Sequence, residues 1–155
     1  MELLIYNENE MEELGEKIAE VLHFNDLVYL IGELGAGKTT LVRGIARGKG
    51  YRGRVTSPTF TLMNVYSTED TQINHFDFYR LNHDEICDLG LEDYLDRKGI
   101  SLIEWPLAGQ GILPEEALFI NISLVDDDYD RERKVSIMAQ NGEYQGKIKE
   151  LQKLC

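Results

Sequence analysis

One lysine and two threonines stand directly behind three closely spaced glycines in Gly32-Glu33-Leu34-Gly35-Ala36-Gly37-Lys38-Thr39-Thr40. The pattern G-x-x-x-x-G-K-[ST] is met without a mismatch. Glycines at this spacing let successive backbone N–H groups turn toward one point, which then attracts an anion. The Lys38 ammonium adds a full positive charge beside the β- and γ-phosphates of a nucleotide, and the Thr39 hydroxyl is placed to ligate Mg²⁺. A triphosphate also needs an acid at the end of an apolar strand beside the loop, to hold the metal directly or through water. Glu104, after Ile100-Ser101-Leu102-Ile103, is the best candidate, and Asp77, at the end of another strand, is the second.

The elements that must position these groups are legible on either side of them. Leu27 to Ile31 is an unbroken apolar or aromatic run, the pattern of a buried strand. Leu41, Val42, Ile45 and Ala46 recur at helical spacing after the loop. Strand, glycine loop and helix in this order are the context that a phosphate-binding loop requires. The helix N-terminus adds its dipole to the attraction for phosphate.

Upstream, residues 2–6 read as a short strand and residues 8–23 as an amphipathic helix. Met11, Leu14, Ile18, Val21 and Leu22 form its stripe, and the glutamates lie mostly elsewhere. Downstream, Arg43, Arg47, Lys49, Arg52 and Arg54 form an acid-free basic segment. It is either the exposed face of the loop's own helix or a patch for an acidic partner or RNA. Thr56-Ser57-Pro58-Thr59 is either a turn into a strand or a nucleotide switch whose hydroxyls approach the γ-phosphate. Residues 59–66 and 72–79 alternate as a hairpin, with Ile73, His75 and Asp77 on one face. His75 and Asp77 could converge on a site or form a salt-linked surface pair.

Residues 82–96 read as helix broken at Gly90. Trp105 is either core or site wall. Residues 117–124 and 133–139 alternate as two strands joined by the acidic turn Asp126 to Asp130, a solvated hairpin tip that lacks the glycine and glutamate of a calcium loop. Asn141-Gly142 is a turn and residues 143–154 a closing helix.

The 155 residues fit a single domain spanning 1–155, with 43% hydrophobic and 28% charged residues. A net charge of −12 opposes the coating of nucleic acid, because the general field repels phosphate backbones. No apolar run reaches the roughly 18 residues of a membrane helix, and the N-terminus lacks the pattern of a signal peptide. Two cysteines, Cys87 and Cys155, build neither a disulfide framework nor a metal site. A cytoplasmic location is the expectation.

Among phosphate-loop classes, a GTPase needs an Asn/Thr-Lys-x-Asp guanine reader, which the sequence lacks. Asp96-Arg97-Lys98-Gly99 has the D-x-x-G spelling of a switch, but precedes an apolar strand instead of following one. A small kinase usually carries a basic lid, and here the basic residues follow the loop. A kinase and a non-hydrolytic nucleotide-dependent adaptor stay as alternatives to an ATPase that drives a partner.

The phosphate loop, Ser57-Pro58-Thr59-Phe60-Thr61-Leu62, His75-Phe76-Asp77-Phe78-Tyr79-Arg80-Leu81 and Glu104-Trp105-Pro106, in this order and spacing, resemble the bacterial TsaE (formerly YjeE) family. Its members are the ATPase component of tRNA threonylcarbamoyladenosine biosynthesis. The resemblance runs from the first helix to the hairpin after Pro114. It implies a phosphate-loop α/β fold, with a sheet mainly parallel at the nucleotide loop, added antiparallel hairpin strands and flanking helices. It implies binding of ATP and Mg²⁺, slow hydrolysis, and action on the TsaD and TsaB proteins, with tRNA met through that complex. By motif, Gly32 to Thr40 would hold the nucleotide, Thr39 and Glu104 would ligate Mg²⁺, and Lys38, Asp77 and Glu104 would be catalytic, with Asp77 ordering water. Trp105 would border the nucleotide. The family's first helix often carries a T-x-x-L-G pattern near the nucleotide. Here it reads Met11-Glu12-Glu13-Leu14-Gly15, so contact at Met11 would be through backbone or van der Waals surface. Arg131, Arg133 and Lys134 could reach the base or phosphates.

Overall fold

The computed structural model describes residues 1–95, 99–140 and 142–155. The elements in chain order are β1 (Glu2–Ile5), α1 (Glu8–Val21), β2 (Leu27–Ile31), α2 (Lys38–Gly48), β3 (Met63–Ser67) and β4 (Gln72–Asp77). They continue with α3 (His83–Cys87), α4 (Leu91–Leu95), β5 (Ile100–Glu104), a 3₁₀ turn (Pro106–Gly109), β6 (Leu118–Val125), β7 (Asp128–Ala139) and α5 (Gly142–Leu154). Among the described residues the strands form one seven-stranded sheet in the order β1-β7-β6-β2-β5-β4-β3. The centre is parallel: β2 lies between β6 and β5, and β5 pairs with β4. The pairs β3–β4, β6–β7 and β1–β7 are antiparallel. A parallel centre with antiparallel edges matches the architecture expected above.

Alternation along β2 divides the core between the two sheet faces. Val28 and Leu30 face a core with Ile18, Leu41, Ile45 and Leu102, to which α1, α2 and α5 contribute. Leu27 and Tyr29 face a second core with Phe76, Phe78, Ile86, Leu91 and Ile103. Strands covered on both faces explain the unbroken apolar run of β2. Each fully enclosed Leu or Ile contributes about 1.5–3 kcal/mol of transfer free energy.

Helix α1 starts because the Asn7 side chain accepts the Glu10 N–H at 3.0 Å, while Glu10 reaches back to the Tyr6 N–H at 2.9 Å. It then crosses α2 at a very short distance. A Cβ built on Gly44 of α2 would lie 2.1 Å from the Glu12 carbonyl oxygen, and one on Gly15 of α1 would lie 2.5 Å from that of Leu41. The same crossing accounts for much of the basic segment. Glu12 bonds Arg43 at 2.7 Å and also pairs with Arg47. Lys49 donates to the Leu22 carbonyl at 2.7 Å. Three of those cations therefore join α2 to α1, whereas Arg52 and Arg54 are exposed.

Three boundaries differ from the sequence reading. Residues 59–62 are not strand: the Leu62 N–H turns back to the Pro58 carbonyl at 2.7 Å, with Leu62 at φ 70°, and β3 begins at Met63. The acidic turn is shorter than five residues, since Asp126 and Asp127 alone adopt positive φ and β7 begins at Asp128. The second hairpin strand, read over 72–79, ends at Asp77, whereas the helix break falls at Gly90 as the sequence indicates, with φ 63° between α3 and α4. Asp96, Arg97 and Lys98, with the D-x-x-G spelling, and Asn141 of the Asn-Gly turn lie outside the described residues. Among the described residues no helix is long and apolar enough to cross a membrane.

Candidate functional site

The phosphate-type loop leaves β2 at Ile31 and enters α2 at Lys38. Two glycines are required by its path. A Cβ on Gly32 would come within 2.5 Å of the Ile122 carbonyl oxygen of β6, and Gly37, at φ 116°, occupies the α2 N-cap in a conformation that side chains rarely adopt. No side chain caps α2 and its first turn holds no acid. The N–H groups of that turn thus lack an intrahelical partner and face outward with the positive end of the dipole. Lys38 is buried at 6% exposure and donates to the carbonyl oxygens of Gly32 at 2.6 Å and Glu33 at 2.8 Å. Its Nζ also lies 4.7 Å from the centre of the Trp105 ring. Burial pulls its pKa below the ordinary lysine value, and the carboxylates of Glu104, Asp77 and Glu33 oppose that shift.

The two acids come from neighbouring strand ends. Leu30 of β2 is in register with Glu104 of β5, and Glu104 with Asp77 of β4. Both are buried. Asp77 accepts the Tyr79 N–H at 2.9 Å on one oxygen, and on the other the hydroxyls of Thr59 at 2.8 Å and Ser57 at 3.4 Å. His75, fully buried on the same strand, does not form a surface pair with Asp77. Its Nε2 lies 3.4 Å from Glu104 Oε1, and neither atom makes a hydrogen bond. A buried carboxylate oxygen without a donor is costly, and His75 Nε2 is the nitrogen that faces it.

These groups border a cleft of about 590 Å³. Of the residues expected at the site, Met11, Leu34 to Thr40, Asp77, Glu104, Trp105 and Arg133 line it. Gly32 and Glu33 stand behind the wall and serve through the carbonyls that hold Lys38. Met11 presents its thioether to the loop: a Cβ at Gly37 would sit 3.4 Å from its Cε. Trp105 is both core and wall. It packs on the second core and on Tyr79, with ring centres 4.9 Å apart, and its ring also meets the Lys38 ammonium. Thr39 and Glu104 offer oxygen atoms of the type that a small hard cation takes. Among the described residues no group of three His, Cys, Asp or Glu side chains could by itself hold a metal. A cation here would complete its shell with ligand oxygens and water, which is how Mg²⁺ is usually bound.

On the far wall the sequence indicates Arg133 but not Tyr129. Tyr129 of β7 donates its hydroxyl to the Leu34 carbonyl at 3.0 Å, and Arg133 donates to the Ala36 carbonyl at 3.2 Å and the Tyr129 carbonyl at 2.9 Å. The β6–β7 hairpin thereby straps the loop from outside. The available signal was Asp126-Asp127, a pair suited to a two-residue turn with both φ positive, which carries Tyr129 into the strand.

Comparison with known proteins matches this arrangement. The family model described as "Threonylcarbamoyl adenosine biosynthesis protein TsaE" matches residues 5–135. The tRNA threonylcarbamoyladenosine biosynthesis protein TsaE of Haemophilus influenzae is 45% identical over 142 residues, covering 88% of this chain and 87% of the relative. The Bacillus subtilis protein of the same description is 37% identical over 145 residues, covering 94% and 89%. A crystal structure of Bacillus subtilis YdiB superposes with a TM-score of 0.86 at 30% identity, over 99% of this chain and 95% of that one. On sequence and fold together, the chain belongs to the TsaE family.

Proposed function

We propose that this chain is an ATP- and Mg²⁺-dependent accessory ATPase in the threonylcarbamoyl modification of the tRNA adenosine beside the anticodon, acting in the cytoplasm on a complex of TsaD and TsaB. One observation carries the nucleotide part: an uncapped helix N-terminus and Lys38 share a cleft with two buried carboxylates from adjacent strand ends. Family membership carries the pathway. The net charge of −12 favours a protein as the direct partner, with tRNA met through the complex.

In this reading the N–H groups of Gly35 to Thr39 hold the phosphates, and Lys38 exchanges its two carbonyl partners for the β- and γ-phosphate oxygens. Thr39 and Glu104 would hold Mg²⁺, which when bound neutralises charge that builds on the β- and γ-oxygens. Asp77 accepts a hydrogen bond from the attacking water and orients it, once Ser57 and Thr59 yield their bonds to its Oδ2. Met11, Trp105 and Arg133 border the nucleotide. Catalysis then rests on positioning and fixed charge, with no covalent intermediate.

The test is reconstitution with TsaD, TsaB, tRNA and ATP, reading multiple-turnover modified product and free phosphate. Wild type should support both. Lys38→Ala should lose ATP binding, and Glu104→Ala should keep binding but lose Mg²⁺-dependent turnover by about 100-fold or more. Wild-type hydrolysis by both variants would sink the assignment. Transfer of γ-phosphate label to a metabolite would replace it with a phosphotransferase.

A further inference from the structure

The hydrogen bonds behind Glu104 make a chain with one proton choice. Tyr66 of β3, 3% exposed, lies with its hydroxyl 3.1 Å from the Thr56 carbonyl oxygen and 3.1 Å from His75 Nδ1. His75, fully buried, faces Glu104 Oε1 with its other nitrogen at 3.4 Å. Burial raises the Tyr66 pKa, so its hydroxyl is a donor at neutral pH.

We propose that His75 is a positioning residue for Glu104, with its Nε2–H directed at the carboxylate and its tautomer fixed by the Tyr66 hydroxyl donating to Nδ1. This rests on the reading of Glu104 as a metal ligand. For a neutral imidazole the proton count selects the arrangement. A neutral imidazole carries one N–H and the phenol one O–H. If Tyr66 donates to Thr56, then Nδ1 must carry the imidazole proton to bond Tyr66. The bare Nε2 then faces a bare carboxylate oxygen in a dry interior, and both stay unsatisfied. If Tyr66 donates to Nδ1, Nε2–H meets Glu104 and every group in the chain is paired. The Thr56 carbonyl loses nothing, because Asn64 Nδ2 already donates to it at 3.1 Å.

A separation of 3.4 Å is longer than a formed N–H···O bond. The terminal torsion of a glutamate is broad and soft, so a small carboxylate rotation closes it. Such bonds often tighten when a site engages its ligand. Anchored on one oxygen, Glu104 presents the other to the cleft in a single orientation, the usual role of a partner behind a metal ligand.

Two measurements test the role. Imidazole ¹⁵N spectra of the wild-type chain, with the His75 signals assigned from their loss in His75→Gln, should show a neutral Nε2–H tautomer; an Nδ1–H tautomer overturns the proposal without touching the ATPase reading. Mg²⁺ titrations of ATP-loaded protein then compare His75→Gln, whose amide reaches the place of Nε2, with His75→Asn, whose amide stops at that of Nδ1. The glutamine variant should stay within about threefold of wild type. The asparagine variant should need about tenfold more Mg²⁺ or beyond, with metal-free ATP binding unchanged in both. Equal Mg²⁺ requirements in the two variants overturn the proposal. A wild-type chain whose ATP binding ignores Mg²⁺ sinks the metal reading of Glu104 and this role with it.

Discussion

Gly44→Ala should unfold this protein more easily although alanine is the better helix former. Gly44 lies inside α2, where alanine is intrinsically favoured by about 1 kcal/mol. Its Cβ, however, would stand 2.1 Å from the Glu12 carbonyl oxygen, with the carbonyl carbon and Cα of Glu12 both at 2.8 Å. These are backbone atoms and cannot rotate away. A carbon and a carbonyl oxygen settle at about 3.3 Å or more, so α1 and α2 must part by about 1 Å. Overpacking of this kind costs about 1–3 kcal/mol, and a rigid backbone contact belongs at the upper end. Against the propensity gain, a net loss of about 2 kcal/mol is expected. Gly146→Ala is the control: it makes the same chemical change inside α5, where nothing lies within 4 Å of the new Cβ. That variant should gain about 0.5–1 kcal/mol. In urea, with a slope of about 2 kcal/mol per molar, the first midpoint falls by about 1 M and the second rises by about 0.3 M. Far-UV circular dichroism reads both. A Gly44→Ala midpoint at or above wild type would refute the close crossing. Because α1 also brings Met11 against the loop, the ATP binding proposed above should be weaker in folded Gly44→Ala.

Two further predictions concern the opposite end of the sheet. Lys147 of α5 bonds Asp26 at 2.9 Å, the Val21 carbonyl at 3.2 Å and His23 Nδ1 at 2.9 Å, and it is buried. Lys147→Met leaves Asp26 buried without its cation and should cost about 3 kcal/mol in urea unfolding, with nucleotide binding unchanged; a loss below about 1 kcal/mol would contradict the pairing. Tyr144 accepts the Leu27 N–H at 2.9 Å, and burial pushes its phenol up to about 12. The neutral phenol is favoured by the fold, so its contribution is complete below pH 10 and is lost as pH rises from 10 to 12. Over that span wild type should lose about 2 kcal/mol more stability than Tyr144→Phe; parallel pH curves for the two would refute it.

What could be read in the sequence was what the chain encodes within a few residues. The strand, glycine loop and helix around Lys38 are contiguous, and Glu104 closes an apolar run whose partner strand must be parallel. Thr59 to Leu62 looked like strand because the residues alternate, yet the hydroxyls of Ser57 and Thr59 bond Asp77 and the backbone turns at Leu62. That competition depends on an acid beyond the next strand. The basic residues Arg43 and Arg47 pair with Glu12, on a helix before the loop, and local charge counting could not see it. By composition Tyr129 belongs to an acidic turn, but turn length depends on which residues take positive φ, and β7 begins at Asp128. The spacing of His75 suits a site or the surface equally; enclosure by Tyr66 and Glu104 decides between them.

The sheet order has a consequence for a chain still being synthesised. β1 pairs with β7, so Glu2 must wait for Ser136 to be made. At about 5–20 residues per second, β1 waits on the order of ten seconds for its neighbour. During that interval the loop and Lys38 leave the ribosome before Asp77, then Glu104, and last Arg133. A nascent chain therefore carries an anion-attracting turn before it owns the carboxylates that would discipline it. β1, made before all of these groups, then closes one edge of the sheet beside β7.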